Sequence, residues 1–368
     1  MAEWVGIVNT TIHKFIRDYE KNVMRNRKIL AKLQADGRVT YGWSGDLVEW
    51  RLQYRQHNLQ GTADAETLTF ARMDQFVKAQ LEYRGYAMTD MVTKKERLMN
   101  TGTEAIINRY SEVAGLMMES IEASMGDEFY IDGNATGNEK RMHGIESFMG
   151  TTGSAIVGSP VMNPSDSYGG LSTALGDKGG TWTGTWPKGK GDPEYDYFSP
   201  LVLDATSTLA AASGGWTSST ATWAARCLEI LRFALVHSMR NNSGKGHINF
   251  GMLNSEYYRL FLESLASKER VVIQTNNKNT LRGLGFDDTV FFDGAELTYE
   301  FGVPSATAYG FNSNQMELRS MQKKLFDSQG PDFDIAAQAY RFVLDFYGNM
   351  YFNPRYFFKI QESGTSGA

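Results

Sequence analysis

A single cysteine, Cys227, stands in a chain of 368 residues, which excludes an intrachain disulfide framework and is expected of a protein folded in a reducing compartment. Histidine is scarce as well. His13, His57, His143, His237 and His247 show no H-x-x-x-H spacing, and there is no second cysteine to assist them, so no metal site is expected. No run approaches the roughly 18 apolar residues of a membrane-spanning helix. The opening MAEWVGIVNTTIHKF has neither the basic segment nor the apolar run of a secretory signal, so neither export nor membrane association is expected. Catalytic spacings are missing too. No G-x-S-x-G occurs, Asn242-Ser243-Gly244-Lys245-Gly246 lacks the leading glycine and trailing hydroxyl of a phosphate loop, and Gly283-Leu284-Gly285 lacks the third glycine of a dinucleotide fingerprint. Asp287, Asp288 and Asp293 flank an apolar segment as loop residues do. The expectation is a chain without enzymatic activity and without a cofactor.

What the sequence does hold is ordinary core material: 42% hydrophobic and 21% charged residues, enough to bury a real core. The net charge of -5 is too mild for a dedicated nucleic-acid binder. It is unevenly spread, however. Residues 1–38 carry eight Lys/Arg against four acids, +4, which leaves -9 for the rest. Lys14, Arg17, Lys21, Arg25, Arg27 and Lys28 belong to this segment. Two readings stand open: a solvated helix face, or a basic arm facing a scaffold or packaged nucleic acid.

Periodicity divides the chain. Val8, Ile12, Phe15, Tyr19, Val23 and Leu30 fall near one face of an N-terminal helix closed by Asp36-Gly37. From Val39 the period is two: Val48, Trp50, Leu52 and Tyr54 alternate with Glu49, Arg51, Gln53 and Arg55. After a polar tip over Gln56 to Glu66, a return leg carries Val77, Ala79, Leu81 and Tyr83, and Gly85 breaks the phase as a bulge would. This long hairpin, marginal by itself in water, is either the edge of an intramolecular sheet or an arm lying on a neighbouring subunit. Trp43, Trp50, Arg51, Tyr54, Arg55 and Arg72 are the residues on it suited to an interface. Lys94 to Asn100 is a charged lead-in. Thr101 to Tyr130 then reads as one long helix with Ile106, Tyr110, Val113, Met117, Ile121 and Met125 in a stripe, roughly 40 Å long and ending at Asp132-Gly133-Asn134. Gly150 to Ser213, rich in glycine and holding Trp182 and Trp186, reads as a loop-rich insertion with short strands. Helices follow over Thr222–Arg240 and from a Ser255 cap to Ser267, then strands at Thr289–Phe292, Glu296–Phe301, Ala306–Phe311, Met316–Met321, Ala337–Met350 and Tyr356–Ile360. Helices followed by runs of strands indicate an α+β class.

The succession of parts resembles the major capsid protein of tailed double-stranded DNA phages, with the Hong Kong 97-type fold. The residues that carry the resemblance are Phe129-Tyr130-Ile131-Asp132-Gly133-Asn134 with Met142-His143-Gly144-Ile145, Tyr168-Gly169-Gly170-Leu171 with Trp182, Val303-Pro304 with Tyr309-Gly310-Phe311-Asn312, and Asn353-Pro354-Arg355. It implies an N-terminal arm over 1–38, an extended loop over 39–84 and a peripheral domain over 85–144 that contains the spine helix. An axial domain would cover 145–315, including the 150–213 insertion, and strands returning to the periphery would cover 316–368. It further implies hexamers and pentamers of an icosahedral shell around double-stranded DNA bound without sequence specificity. A scaffolding protein, a portal and a decoration protein are the implied partners, with assembly in the host cytoplasm and residence in the virion. The basic arm would face the interior. No lysine lies between Lys32 and Lys78, so the lysine cross-link of some members is not expected, and Arg51, Arg55 and Arg72 would act through ion pairs and hydrogen bonds. No long charged helical segment precedes residue 39, so a fused scaffolding domain is expected to be absent or already removed. An encapsulin-like nanocompartment shell is the alternative on the same fold. A carbohydrate-active enzyme using the 181–197 loop with Asp192 and Glu194 is the alternative of another class.

Overall fold

The computed structural model describes residues 28–99, 113–117, 120–121, 124–240, 247–266 and 288–362. Two sheets organise them. The larger has eight strands, in the order Val290–Phe292, Ala295–Tyr299, Phe250–Leu253, Thr307–Phe311, Phe358–Gln361, Leu201–Asp204, Val161–Pro164 and Thr151–Ala155. The smaller is built on Ala339–Phe352, a 14-residue strand. One edge of that strand pairs with Asp327–Asp334 and Met316–Ser320, and the opposite edge with Arg84–Thr93. Val39–Thr40 adds in parallel beside Met316–Ser320.

Strand alternation gives the large sheet two apolar faces. Leu201, Leu203, Phe358 and Ile360 pack under the helices Trp223–Ser238 and Ser255–Ala266, against Trp223, Ile230, Leu231 and Phe261. Val202, Phe250, Met252, Tyr309 and Phe311 point the other way. They join a second core with Phe148, Phe346, Met350, Phe352 and the spine residues Val113, Met117, Ile121 and Met125. That second core is continuous from the large sheet to the small one.

Several expectations met their physical reason here. Residues 113–117, 120–121 and 124–128 are helical, with the predicted stripe from Val113 to Met125 buried; the expected start, with Ile106 and Tyr110, lies outside the described residues. The helix stops at Glu128, short of Asp132, and the chain turns at Phe129-Tyr130. Gly85 is no bulge: it pairs in register with Tyr347 inside an uninterrupted ladder, and an added Cβ would lie 2.5 Å from the Tyr347 ring, so glycine makes room for the ring. Ser255 is the first residue of its helix rather than the cap; Asn254 Oδ1 accepts from Glu256 N at 3.1 Å in that role. The charged lead-in is a short helix, Lys94–Met99, opened by a reciprocal box in which Thr93 N donates to Glu96 Oε2 and Glu96 N to Thr93 Oγ1. The last strand, Phe358–Gln361, was expected to return with the preceding ones, yet it runs through the middle of the large sheet. Asp327–Asp334 escapes sequence reading because Gly330-Pro331 and three aspartates imitate a turn; an edge strand with a register shift tolerates them.

Candidate assembly surface

The hairpin pairs Leu47–Gln53 with Phe76–Glu82, and its two faces differ. Val48, Trp50, Leu52, Ala79 and Leu81 are buried. Trp50 packs edge-on against Tyr351 with ring centroids 4.9 Å apart, and against Tyr168 at 5.8 Å. Gln80 N donates to the Gly169 carbonyl at 3.0 Å, and Gly169 adopts φ +59, where a Cβ would lie 2.9 Å from the Trp50 ring. The Gly169-Gly170 turn is therefore the seat of the hairpin. Tyr54 meets Tyr197 at 6.0 Å, and Arg55 Nε reaches Glu194 Oε2 at 2.5 Å, a bond that raises the guanidinium pKa. Trp43 lies under the Arg319 guanidinium at 4.5 Å, and Arg319 also faces the Tyr351 ring at 5.4 Å.

Trp50, Tyr54 and Arg55 thus contact their own chain, and Trp43 remains 36% exposed. Arg51 and Arg72 are exposed, Arg51 directly across from Lys78. Beyond the paired strands every residue from 56 to 72 is exposed, including Leu59 at 100% and Phe70 at 91%. The tip is held by few contacts: Tyr54 N to Gln75 O, a two-way bond between the Gln60 amide and the Thr69 backbone, and Ala63 N to Glu66 Oε2. Leu59 and Phe70 thus leave large apolar side chains in water on this loop.

Of the basic arm, Lys14, Arg17, Lys21, Arg25 and Arg27 lie outside the described residues. Lys28 opens the helix Lys28–Ala35, and its Nζ donates to Thr298 Oγ1 at 2.8 Å and to the Tyr299 carbonyl at 2.9 Å. Burial lowers its pKa, opposed by Asp288 and Glu300. It ties the arm to the large sheet.

Sequence reasoning missed three buried polar clusters. Arg84 Nη1 donates to the carbonyls of Gly133, Asn138 and Arg141, so the 132–141 loop is folded around one guanidinium. Asp196, fully buried, holds Arg240 at 2.7 Å and Arg355 at 3.5 Å, and Trp186 Nε1 donates to it at 3.2 Å. This cluster joins the insertion to the Asn353-Pro354-Arg355 turn. Lys359 Nζ donates to Glu146 Oε2 at 2.7 Å, and Tyr309 donates to Oε1 of the same carboxylate. A cleft of about 920 Å³ opens beside Glu146 and is also lined by Asp132, Asp166 and Asp204. Burial pushes the Asp166 carboxyl up to about 6, with Asp132 and Glu146 adding repulsion. The two carboxylates of the enzymatic alternative have structural partners: Glu194 holds Arg55, and Asp192 Oδ2 accepts from Thr181 N and Oγ1. Among the described residues no group of three or more His, Cys, Asp or Glu is placed to hold a metal ion, and no helix is long and apolar enough to cross a membrane.

No family model and no curated protein sequence matches the chain. Solved structures do. The capsid asymmetric unit of cyanophage A-1(L) superposes with a TM-score of 0.56 over 91% of this chain and 92% of that one, at 13% identity. The capsid of a native GTA particle matches with a TM-score of 0.49, 8% identity, and 90% and 91% coverage. The virus-like particle from Pyrococcus furiosus matches with a TM-score of 0.37, 11% identity, and 91% and 96% coverage. The chain has the α+β, Hong Kong 97-type fold of phage capsid subunits.

Proposed function

We propose that this chain is the major capsid protein of a tailed phage, a structural subunit that assembles into hexamers and pentamers of an icosahedral shell around double-stranded DNA. The observation that carries the reading is the likeness to a cyanophage capsid subunit across nine-tenths of both chains. The exposed hairpin tip supports it, because a closed shell needs many modest contacts in fixed directions rather than one pocket. In this reading residues 39–84 are the extended loop, 85–144 with the strands from 316 onward the peripheral domain, and 145–315 the axial domain. Phe358–Gln361 is assigned instead to the axial sheet. The exposed Arg51, Arg72, Leu59 and Phe70 replace Trp50, Tyr54 and Arg55 as the residues that meet a neighbour. Lys14, Arg17, Lys21, Arg25 and Arg27 face the interior, where they offset DNA phosphate without reading sequence. A scaffolding protein, a portal and a decoration protein complete the partners, and the particle assembles in the host cytoplasm.

The test is electron microscopy of the purified protein, alone and after expression together with a scaffolding protein. Closed shells of uniform diameter are expected, filled with DNA in infected cells. A folded monomer that never assembles under either condition overturns the reading. Shells that enclose an enzyme in place of DNA would replace it with the nanocompartment.

A further inference from the structure

Where the hairpin base lies on the small sheet, buried donors gather without acceptors. Trp50 is 8% exposed, and its Nε1 has no hydrogen-bond partner among the described residues. The Tyr83 hydroxyl and the Nε atoms of Arg38 and Arg319 are buried and equally unpartnered there. Each of the four comes from a different segment. Arg38 follows the helix Lys28–Ala35, Arg319 lies on Met316–Ser320, Trp50 on one hairpin leg, and Tyr83 directly after the other. They surround one ring. The Arg319 guanidinium lies 5.4 Å from the Tyr351 ring, and the Trp50 ring 4.9 Å from it. The charges of Arg319 and Arg38 both reach the Tyr351 phenol, and that of Arg319 also reaches Tyr83. Leu318 N donates to the Arg38 carbonyl at 2.9 Å, which sets Arg38 beside the strand that carries Arg319.

Charge there is unbalanced as well. Arg38 Nη2 donates to Asn314 Oδ1 at 2.7 Å, and Arg38 forms no ion pair among the described residues. Arg319 Nη2 holds Glu317 Oε2 at 3.1 Å, while its Nη1 donates to the Glu49 carbonyl at 3.4 Å. The Glu49 carboxylate is taken by Lys78. Two guanidiniums therefore share one carboxylate, that of Glu317, which leaves one positive charge in excess. Buried donors are nearly always satisfied, and donors beside an excess positive charge call for an acceptor that is itself an anion. A tetrahedral oxyanion carries four acceptor oxygens and no donor it must place, so it can meet groups arriving from several segments at once. Access is beside Trp43, which is 36% exposed and lies 4.5 Å from the Arg319 guanidinium. Donors this deeply covered suit a small ion rather than a polymer backbone. We propose that the hairpin base binds one free tetrahedral oxyanion, inorganic phosphate or sulfate, through Arg38, Arg319, Trp50 and Tyr83. The ion fastens both hairpin legs to the small sheet and to the end of the first described helix. All of these contacts lie within one chain, so the site is independent of the capsid reading.

Phosphate and sulfate stabilise folded proteins non-specifically, so the readout is binding rather than melting. Calorimetric titration of the unaltered chain with inorganic phosphate, at constant ionic strength in chloride, is expected to show saturable binding of one ion per chain. Sulfate is expected to compete for the same site. Arg38→Gln is expected to weaken the binding at least about ten-fold. Tyr83→Phe keeps the ring and removes one donor; it is expected to weaken binding about three-fold with the thermal midpoint in chloride unchanged. If Arg38→Gln does not fold, Tyr83→Phe decides alone. Absence of saturable binding, or binding that the folded variants leave unaltered, overturns the site and assigns the four donors to water. Displacement of bound phosphate by a short DNA duplex would put a nucleic-acid backbone there and overturn the assignment of a free ion.

Discussion

At Gly144 an added Cβ would sit 2.6 Å from the Ile131 carbonyl oxygen, 2.7 Å from that of Glu128 and 2.7 Å from Ile131 N. All three are backbone atoms at the end of the spine helix, and none can swing aside. The Gly-hydrophobic pair that marked this place in the sequence therefore has a steric cause. Gly144→Ala is expected to cost about 2–3 kcal/mol in urea unfolding. The neighbouring His143 is 4% exposed, and its Nδ1 has no hydrogen-bond partner among the described residues. Burial, with Arg84 adding repulsion, lowers its pKa from 6.5 to about 4. The neutral ring is the folded form, so its contribution is complete above pH 6.5 and is lost as pH falls toward 4, on the order of 3 kcal/mol. Asp166, raised to about 6, works in the opposite sense, losing stability as pH rises from about 4 to 6. The two are separated by comparison: between pH 7 and 4 the unaltered chain is expected to show the two effects offsetting each other, whereas unfolding of His143→Leu is expected to show the acid-side gain from Asp166 alone. Neither effect was legible beforehand, because a lone histidine in one sequence carries no sign of what covers it.

The elements were more legible than the residues. Alternation located both hairpin strands, and helical spacing located Trp223–Ser238 and Ser255–Ala266, since each buries one face and burial leaves a period in the sequence. What periodicity does not carry is which chain segment covers a face. Trp50, by type suited to an interface, packs within its own chain on Tyr168 and Tyr351, more than a hundred residues away in sequence. Arg84–Thr93 was hidden for a related reason: its exposed face is Gly85, Ala87, Thr89 and Met91, too small and mixed to alternate visibly against the inward side. The hairpin base and its tip consequently have separate roles. The base is anchored to the Gly169-Gly170 turn, while the tip makes few contacts with the chain that carries it. Deleting Gln56–Glu66 is therefore expected to leave the circular dichroism and thermal midpoint of the subunit within error of the unaltered chain. Assembly, followed by size exclusion and microscopy, should fail. Normal shells from the deletion would remove the tip from the assembly contacts.

On the scale of the whole molecule, order along the chain and order in the sheets diverge at the last strand. Phe358–Gln361 lies between Thr307–Phe311 and Leu201–Asp204, so the large sheet is joined across its middle by the final segment of the described chain. Phe358 and Ile360 face the helices while Phe357 faces the shared core with Phe148, Phe311 and Phe352. Lys359 closes on Glu146 between them. Without this strand the large sheet falls into a four-strand and a three-strand piece, each with an unpaired edge and with large aromatics uncovered. The continuous core also means that the two sheets share their apolar contacts rather than each owning a set. Unfolding of the subunit by urea should therefore follow one transition, with tryptophan fluorescence and far-UV circular dichroism coincident. A chain ended after Tyr356 should show no such transition, because the loss removes the joint of one sheet and the cover of the core both sheets use. A truncated chain that still unfolds cooperatively near the original midpoint would mean that the large sheet closes without its central strand.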